Sequence, residues 1–141
     1  MVKRNFNGTQ INQSATIVEK AGADVTDCRN LIFVYDNDGN VVPATNGSKP
    51  IVGVALIEEG YNDITGAESG KLDEGDDVSL QIKDIGYVLA GATIAKGAEI
   101  TSDANGCAVT AQTGNYVAGI ALSAATKDGL CRVQISKYQK N

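Results

Sequence analysis

Residues 51–56 read IVGVAL, and this stretch decides the fold class. In an extended strand the side chains alternate, so Val52, Val54 and Leu56 share one face and small or apolar residues occupy the other. A strand that is apolar on both faces is usually central and covered on both sides, and glycine within it lets another segment approach closely. The stretch therefore predicts a central β-strand.

The same pattern returns as VAGIAL at residues 117–122. Aligning Gly53 with Gly119 nearly aligns two turn dipeptides as well, Asp38-Gly39 and Asn105-Gly106. Such dipeptides supply the positive φ angles that tight turns between antiparallel strands require. The chain therefore reads as two related β units.

Short stretches of β-branched and apolar residues run through the whole chain, each closed by Gly, Asn or Asp. The predicted strands are residues 15–20, 31–35, 41–44, 51–57, 78–84, 87–90, 98–101, 107–110, 116–122 and 130–137. We predict an all-β fold, a compact β-barrel or sandwich of short antiparallel strands. We expect an extended N-terminal arm at 1–14 and one β domain at 15–141, with pseudo-repeats at about 22–84 and 86–136.

Composition argues against several classes of function. The chain of 141 residues has no histidine, the commonest general base and a favoured metal ligand. Its cysteines, Cys28, Cys107 and Cys131, form no Cys-x-x-Cys pair and suggest folding in a reducing cytoplasm. The net charge of −5 disfavours nucleic acid, and no apolar run has the length of a membrane-spanning helix. We expect no enzymatic activity, cofactor or metal, and no nucleic-acid or membrane partner.

Two acidic segments are candidate sites. Residues 36–39, Asp-Asn-Asp-Gly, resemble part of a calcium loop, but a strand resumes immediately and a hairpin turn is favoured. The connection at residues 58–77 holds eight acidic residues and one lysine, and it is much longer than its counterpart at 123–129. A solvated or partner-facing loop is the favoured interpretation; weak calcium binding and paired carboxylates for glycoside hydrolysis are the alternatives.

The N-terminal segment, residues 1–14, is rich in Asn and Gln. One interpretation is a frayed tail. The other is an arm that becomes ordered on a neighbouring subunit, with Phe6 as its anchor. The candidate partner-binding residues are Lys3, Arg4, Asn5 and Phe6.

Three blocks in the second half show a family resemblance. They are residues 96–110 (KGAEITSDANGCAVT), 117–125 (VAGIALSAA) and 129–135 (GLCRVQI). Their order and spacing resemble the capsid decoration, or cement, proteins of tailed bacteriophages, over about residues 86–135. The acidic insertion at 58–77 and the N-terminal segment depart from the family pattern.

The resemblance implies a non-enzymatic structural virion protein. Such a protein would be assembled in the host cytoplasm, bind the major capsid protein at subunit junctions on the capsid exterior, commonly as a homotrimer, and stabilise the shell. The alternative from a different class is a carbohydrate-binding or adhesin-type β module, against which the dispersed tyrosines argue weakly.

Overall fold

The structure is a computed structural model that describes residues 14–141. Within that range the chain forms ten β-strands. They are β1 (Thr16–Lys20), β2 (Ile32–Tyr35), β3 (Val41–Pro43), β4 (Ile51–Ala55), β5 (Asp77–Gln81), β6 (Ile85–Leu89), β7 (Glu99–Ser102), β8 (Ala108–Thr110), β9 (Tyr116–Ala121) and β10 (Leu130–Gln139). No helix long and apolar enough to cross a membrane occurs in this range.

The strands form two five-stranded sheets whose neighbours all pair antiparallel. The first sheet has the order β1-β5-β4-β2-β3 and the second β6-β10-β9-β7-β8. Adding five to each strand number in the first order gives the second order. The all-β prediction is confirmed. The shared order is the pattern expected of two related units, while their predicted boundaries stay predictions.

The correspondence extends to single hydrogen bonds in the turns. In the β2–β3 turn, Oδ1 of Asp36 accepts the backbone N–H groups of Asp38 and Asn40, at 2.9 and 3.0 Å. In the β7–β8 turn, Oδ1 of Asp103 accepts the N–H groups two and four residues later, at 2.8 and 3.0 Å. The glycines of these turns have φ angles of 82° and 79°, as the hairpin prediction requires.

Each sheet is curled, because a bridge joins its two outer strands at one end. Ala21, directly after β1, forms a parallel bridge with Val41 of β3. Ala90, directly after β6, forms the same bridge with Ala108 of β8. Each sheet is thus a small barrel that is partly open.

Close strand packing explains the repeated glycines. β4 and β9 each lie third in their sheet. A Cβ atom on Gly53 would overlap the carbonyl oxygen of Gln81, and one on Gly119 would overlap that of Gln134. The prediction of central strands with a close approach at glycine is confirmed.

Two clusters of buried side chains form the core. One is formed by residues of the first sheet and of its connections, including Phe33, Leu72 and Leu80. The other joins the sheets, because Ile32 and Val54 of the first sheet pack with residues of the second sheet. Its buried members are Ile32, Val34, Ala44, Ile51, Val54, Val88, Ala90, Ile94, Ile100, Ala108, Ala118, Ala121, Cys131 and Val133. This shared cluster holds the two sheets together.

The second sheet differs from the first at the position equivalent to Ile32, a residue of the shared cluster. Glu99 of β7 stands where β2 has Ile32, since each pairs with the equivalent residue of the neighbouring strand. Glu99 accepts a hydrogen bond from Tyr138 Oη at 2.6 Å and lies 3.1 Å from Lys140 Nζ. These partners lower the pKa of Glu99, while the bond to Glu99 raises the pKa of Tyr138 to about 12. The long β10 and the residue after it thus cover this position with polar contacts.

Candidate interaction surface

An apolar cleft of about 320 Å³ opens where the two sheets meet. Most of its wall comes from the first sheet and the segment after β4, and the remainder comes from β6 and β10. The residues that line it are Asn30, Val54, Ala55, Leu56, Ile57, Glu58, Gln81, Tyr87 and Leu130. One surface feature is therefore built by residues distant in sequence.

Asn30 fixes the base of this cleft. Its φ is 61°, a left-handed conformation that asparagine tolerates better than most residues. Its N–H donates to the carbonyl of Ala55, and its Nδ2 donates to the carbonyl of Tyr87, both at 3.0 Å. Its own carbonyl accepts the N–H of Leu89 at 3.0 Å. One buried side chain and its backbone thus tie the first sheet to β6.

The Gln81 side chain spans the connection from β5 to β6, which joins the two sheets. Its Nε2 donates to the carbonyl oxygens of Lys83 and Ile85, at 2.9 and 2.7 Å. Both acceptors lie at the crossing from β5 to β6. The side chain therefore holds the start of β6 beside the end of β5 and gives the cleft a fixed wall.

The cleft is edged by large apolar side chains in contact with solvent. Ile57 is 58% exposed, Tyr87 is 52% exposed and Leu130 is 45% exposed. Ile85, on the same face of β6 as Tyr87, is 49% exposed. Single exposed apolar residues are normal, but several around one concavity mark a surface that binds a protein segment or another ligand.

The acidic connection at residues 58–77 is an ordered loop. The N–H of Tyr61 donates to the carbonyl of Lys71, and the N–H of Gly70 donates to that of Tyr61. Asp63 accepts hydrogen bonds from the side chain and N–H of Thr65, and these lower the pKa of Asp63. No cluster of acidic, Cys or His side chains suited to a metal occurs within residues 14–141. Asp63, at least, serves the loop's own structure.

The three cysteines are free thiols. Cys28 and Cys131 are buried, and Cys107 is half-buried. Burial, reinforced by the charges of Asp27 and Glu59, raises the pKa of Cys28 to about 11. Burial also raises the pKa values of the other two thiols. At neutral pH the thiols are protonated, a state unsuited to nucleophilic catalysis.

The sequence candidates Lys3, Arg4, Asn5 and Phe6 lie outside the described residues, so their assignment stays a prediction. The cleft was missed by the sequence prediction. A signal for it does exist in β6, where Ile85, Tyr87 and Leu89 share one face and Gly86 and Val88 the other. Large apolar residues on the outer face of an edge strand indicate a covered or binding surface.

Comparison with solved structures identifies a similar fold. The crystal structure of the head fiber gp8.5 N base in bacteriophage phi29 matches with a TM-score of 0.56 and 19% identity. The match covers 89% of this chain and 97% of that one. At this level of identity the likeness shows the fold alone. No curated protein sequence matches the chain.

Comparison with protein families gives the assignment. The family model of the phage cement protein matches residues 10–136, which include all but the last three residues of the ten strands. The resemblance to cement proteins found in the sequence is thereby confirmed. The chain belongs to the phage cement protein family.

Proposed function

We propose that this chain binds the outer surface of a phage capsid at the junctions between capsid subunits and stabilises the shell. The observation that carries the proposal is the family match over residues 10–136, which makes the chain a structural protein of the virion. The two sheets with a shared core supply a rigid body, and the apolar cleft supplies surface for protein contacts.

A position on the capsid exterior is part of this proposal. The structural neighbour that shares the fold is named as the N base of a bacteriophage head fiber. The shared fold extends over nearly all of that base. We propose that this chain lies on the outside of the shell, in contact with the major capsid protein.

Stabilisation follows from mass action. A protein that binds assembled subunits and not separated ones shifts the equilibrium toward the assembled shell. We propose a homotrimer, because three linked contacts raise the overall affinity by roughly a hundredfold or more when all can engage together. Lys3, Arg4, Asn5 and Phe6 are the proposed partner-binding residues of the arm. No chemical reaction is required.

Co-sedimentation with purified capsid shells lacking this protein tests the proposal. We expect saturable binding and a higher temperature of shell opening in the decorated particles. Deletion of residues 1–14 separates two modes of contact: binding lost with the deletion assigns the contact to the arm, and unchanged binding assigns it to the β body. Binding to a glycan array with no binding to shells would contradict the proposal and favour the carbohydrate-binding alternative. Light scattering of the purified chain measures its oligomeric state.

A further inference from the structure

We propose that in the free protein residues 1–13 of the chain's own N-terminal arm occupy the cleft between the two sheets, with Phe6 as the side chain that enters it. This inference names an occupant for the cleft and does not depend on the capsid proposal. It rests on three observations: the chemistry of the cleft, the distribution of charge, and the place where the arm joins the β body.

The cleft is suited to an aromatic side chain. Its edges carry Ile57, Tyr87 and Leu130, each about half exposed, and its volume of about 320 Å³ has room for one ring. Phe6 is the one aromatic residue among residues 1–13. Covering these side chains removes apolar area from water, which favours docking by roughly 25 cal/mol for each Å² buried.

Charge favours the same contact. The arm carries Lys3 and Arg4 and no acidic residue, which leaves ten Lys and Arg against 17 Asp and Glu in the rest of the chain. Glu58 lines the cleft, and Glu59 follows it. In the proposed contact, a basic pair close to the aromatic anchor therefore meets the carboxylate of Glu58 at the cleft edge.

The arm also joins the body beside the cleft. The carbonyl of Ala15 accepts the N–H of Ile82 at 2.9 Å, and Thr16 pairs with Gln81, a residue of the cleft wall. The seven residues between Phe6 and Ser14 span up to about 25 Å when extended. A segment tethered this close has a high effective concentration, so the arm of the same copy is favoured over that of another.

A single fluorophore tests the inference, because the protein has no tryptophan. In the full chain with Phe6→Trp, we expect blue-shifted tryptophan emission and low quenching by acrylamide, both independent of protein concentration. Leu130→Asp or Tyr87→Ser in the same chain should return emission and quenching to the values of the urea-unfolded protein. Both positions are about half exposed, so the β body tolerates these changes, and circular dichroism checks that it remains folded.

The matched control is Ile64→Asp, which adds a negative charge at a fully exposed apolar residue of the acidic loop outside the cleft. It should leave the blue shift intact. Solvent-exposed tryptophan emission from the chain that carries Phe6→Trp alone would overturn the inference. So would a blue shift that survives both cleft variants, or one that disappears on dilution, since the latter means that a second copy supplies the arm. No capsid is present, so the outcome is separate from that of the capsid-binding assay.

Discussion

At Gly119, β9 runs so close to β10 that any Cβ would overlap the carbonyl oxygen of Gln134. Gly53 has the same relation to Gln81 in the first sheet. Neither glycine has a positive φ, so the requirement is for space and not for an unusual backbone conformation. Local propensity alone disfavours glycine in a strand, and close packing of the neighbouring strand explains its presence.

Gly119→Ala should lower the free energy of unfolding by about 1–3 kcal/mol, because the added methyl group forces the β9–β10 pair apart. Urea unfolding with an unchanged slope measures the loss. Gly129→Ala is the control, since its Cβ would lie 3.1 Å from the nearest atom, the carbonyl oxygen of Thr126, and its effect should be smaller. Equal effects of the two changes would contradict the packing explanation.

The thiols should react in the order of their exposure. We expect a thiol reagent at pH 8 to modify half-buried Cys107 first, and Cys28 and Cys131 only after unfolding. Mass spectrometry of timed samples identifies the modified residue. Early modification of Cys28 would contradict this order.

The fold raises the pKa of Cys28 from 9.0 to about 11 and so favours the protonated thiol. This preference stabilises the folded protein below pH 9, and the stabilisation is lost as the pH rises toward 11.

Among the elements, the aspartate turns are the clearest local determinants. Each aspartate satisfies two backbone N–H groups of its own turn, a role that a short carboxylate fulfils well. The sequence prediction of a hairpin at Asp36–Gly39 is confirmed, because Oδ1 of Asp36 is bonded within the turn.

Asp36→Ala should lower the free energy of unfolding by about 1–3 kcal/mol, because two N–H groups lose a charged acceptor. Asp38→Ala in the same turn is the matched control: this exposed residue donates its N–H to Asp36, and its side chain is not the acceptor. The control should change stability by less than about 0.5 kcal/mol. Thermal unfolding of both variants in parallel gives the comparison, and equal losses would argue against the role of the carboxylate.

Strand positions could be predicted well from the sequence, and strand ends less well. All ten predicted strands are present. The one predicted at 78–84 ends at Gln81, because the Gln81 side chain bonds to the crossing and Asp84 has a φ of 67°. The one predicted at 130–137 continues to Gln139 beyond an irregularity after Ile135. Such ends depend on tertiary contacts, which periodicity does not encode.

The cleft could not be predicted for a related reason. Ile57, Tyr87 and Leu130 come from three distant parts of the chain, and only the packing of one sheet on the other places them around one concavity. Alternation within β6 indicates which face a side chain occupies, but not which sheet covers that face. The partner-binding prediction for the arm likewise depends on contacts that the described residues do not include.

At the scale of the whole molecule, the shared core predicts that both sheets unfold together. Side chains of both sheets belong to one cluster, and Asn30 bonds across the junction. Urea unfolding should therefore show one transition by circular dichroism and by tyrosine fluorescence. Two separated transitions would show that the sheets are independent.

Two substitutions at Asn30 separate the energetic cost of its backbone conformation from that of its side-chain hydrogen bond. Asn30→Gly keeps the positive φ and loses the bond to Tyr87, so we expect a loss of about 1 kcal/mol. Asn30→Ala also places alanine in a left-handed conformation, which costs about 1–2 kcal/mol more. Urea midpoints of the two variants measure the difference, and an equal loss in both would show that the conformation carries no cost.

The polar contacts of Glu99 bear on whether the molecule can assemble into fibres. If a third sheet docked on the second as the second docks on the first, the same contact could repeat without limit. Such head-to-tail contacts produce fibres when they do not close. Here the face that would receive a third sheet carries a carboxylate held by Tyr138 and Lys140 where the first sheet offers Ile32. Growth by this contact therefore stops at two sheets within one chain.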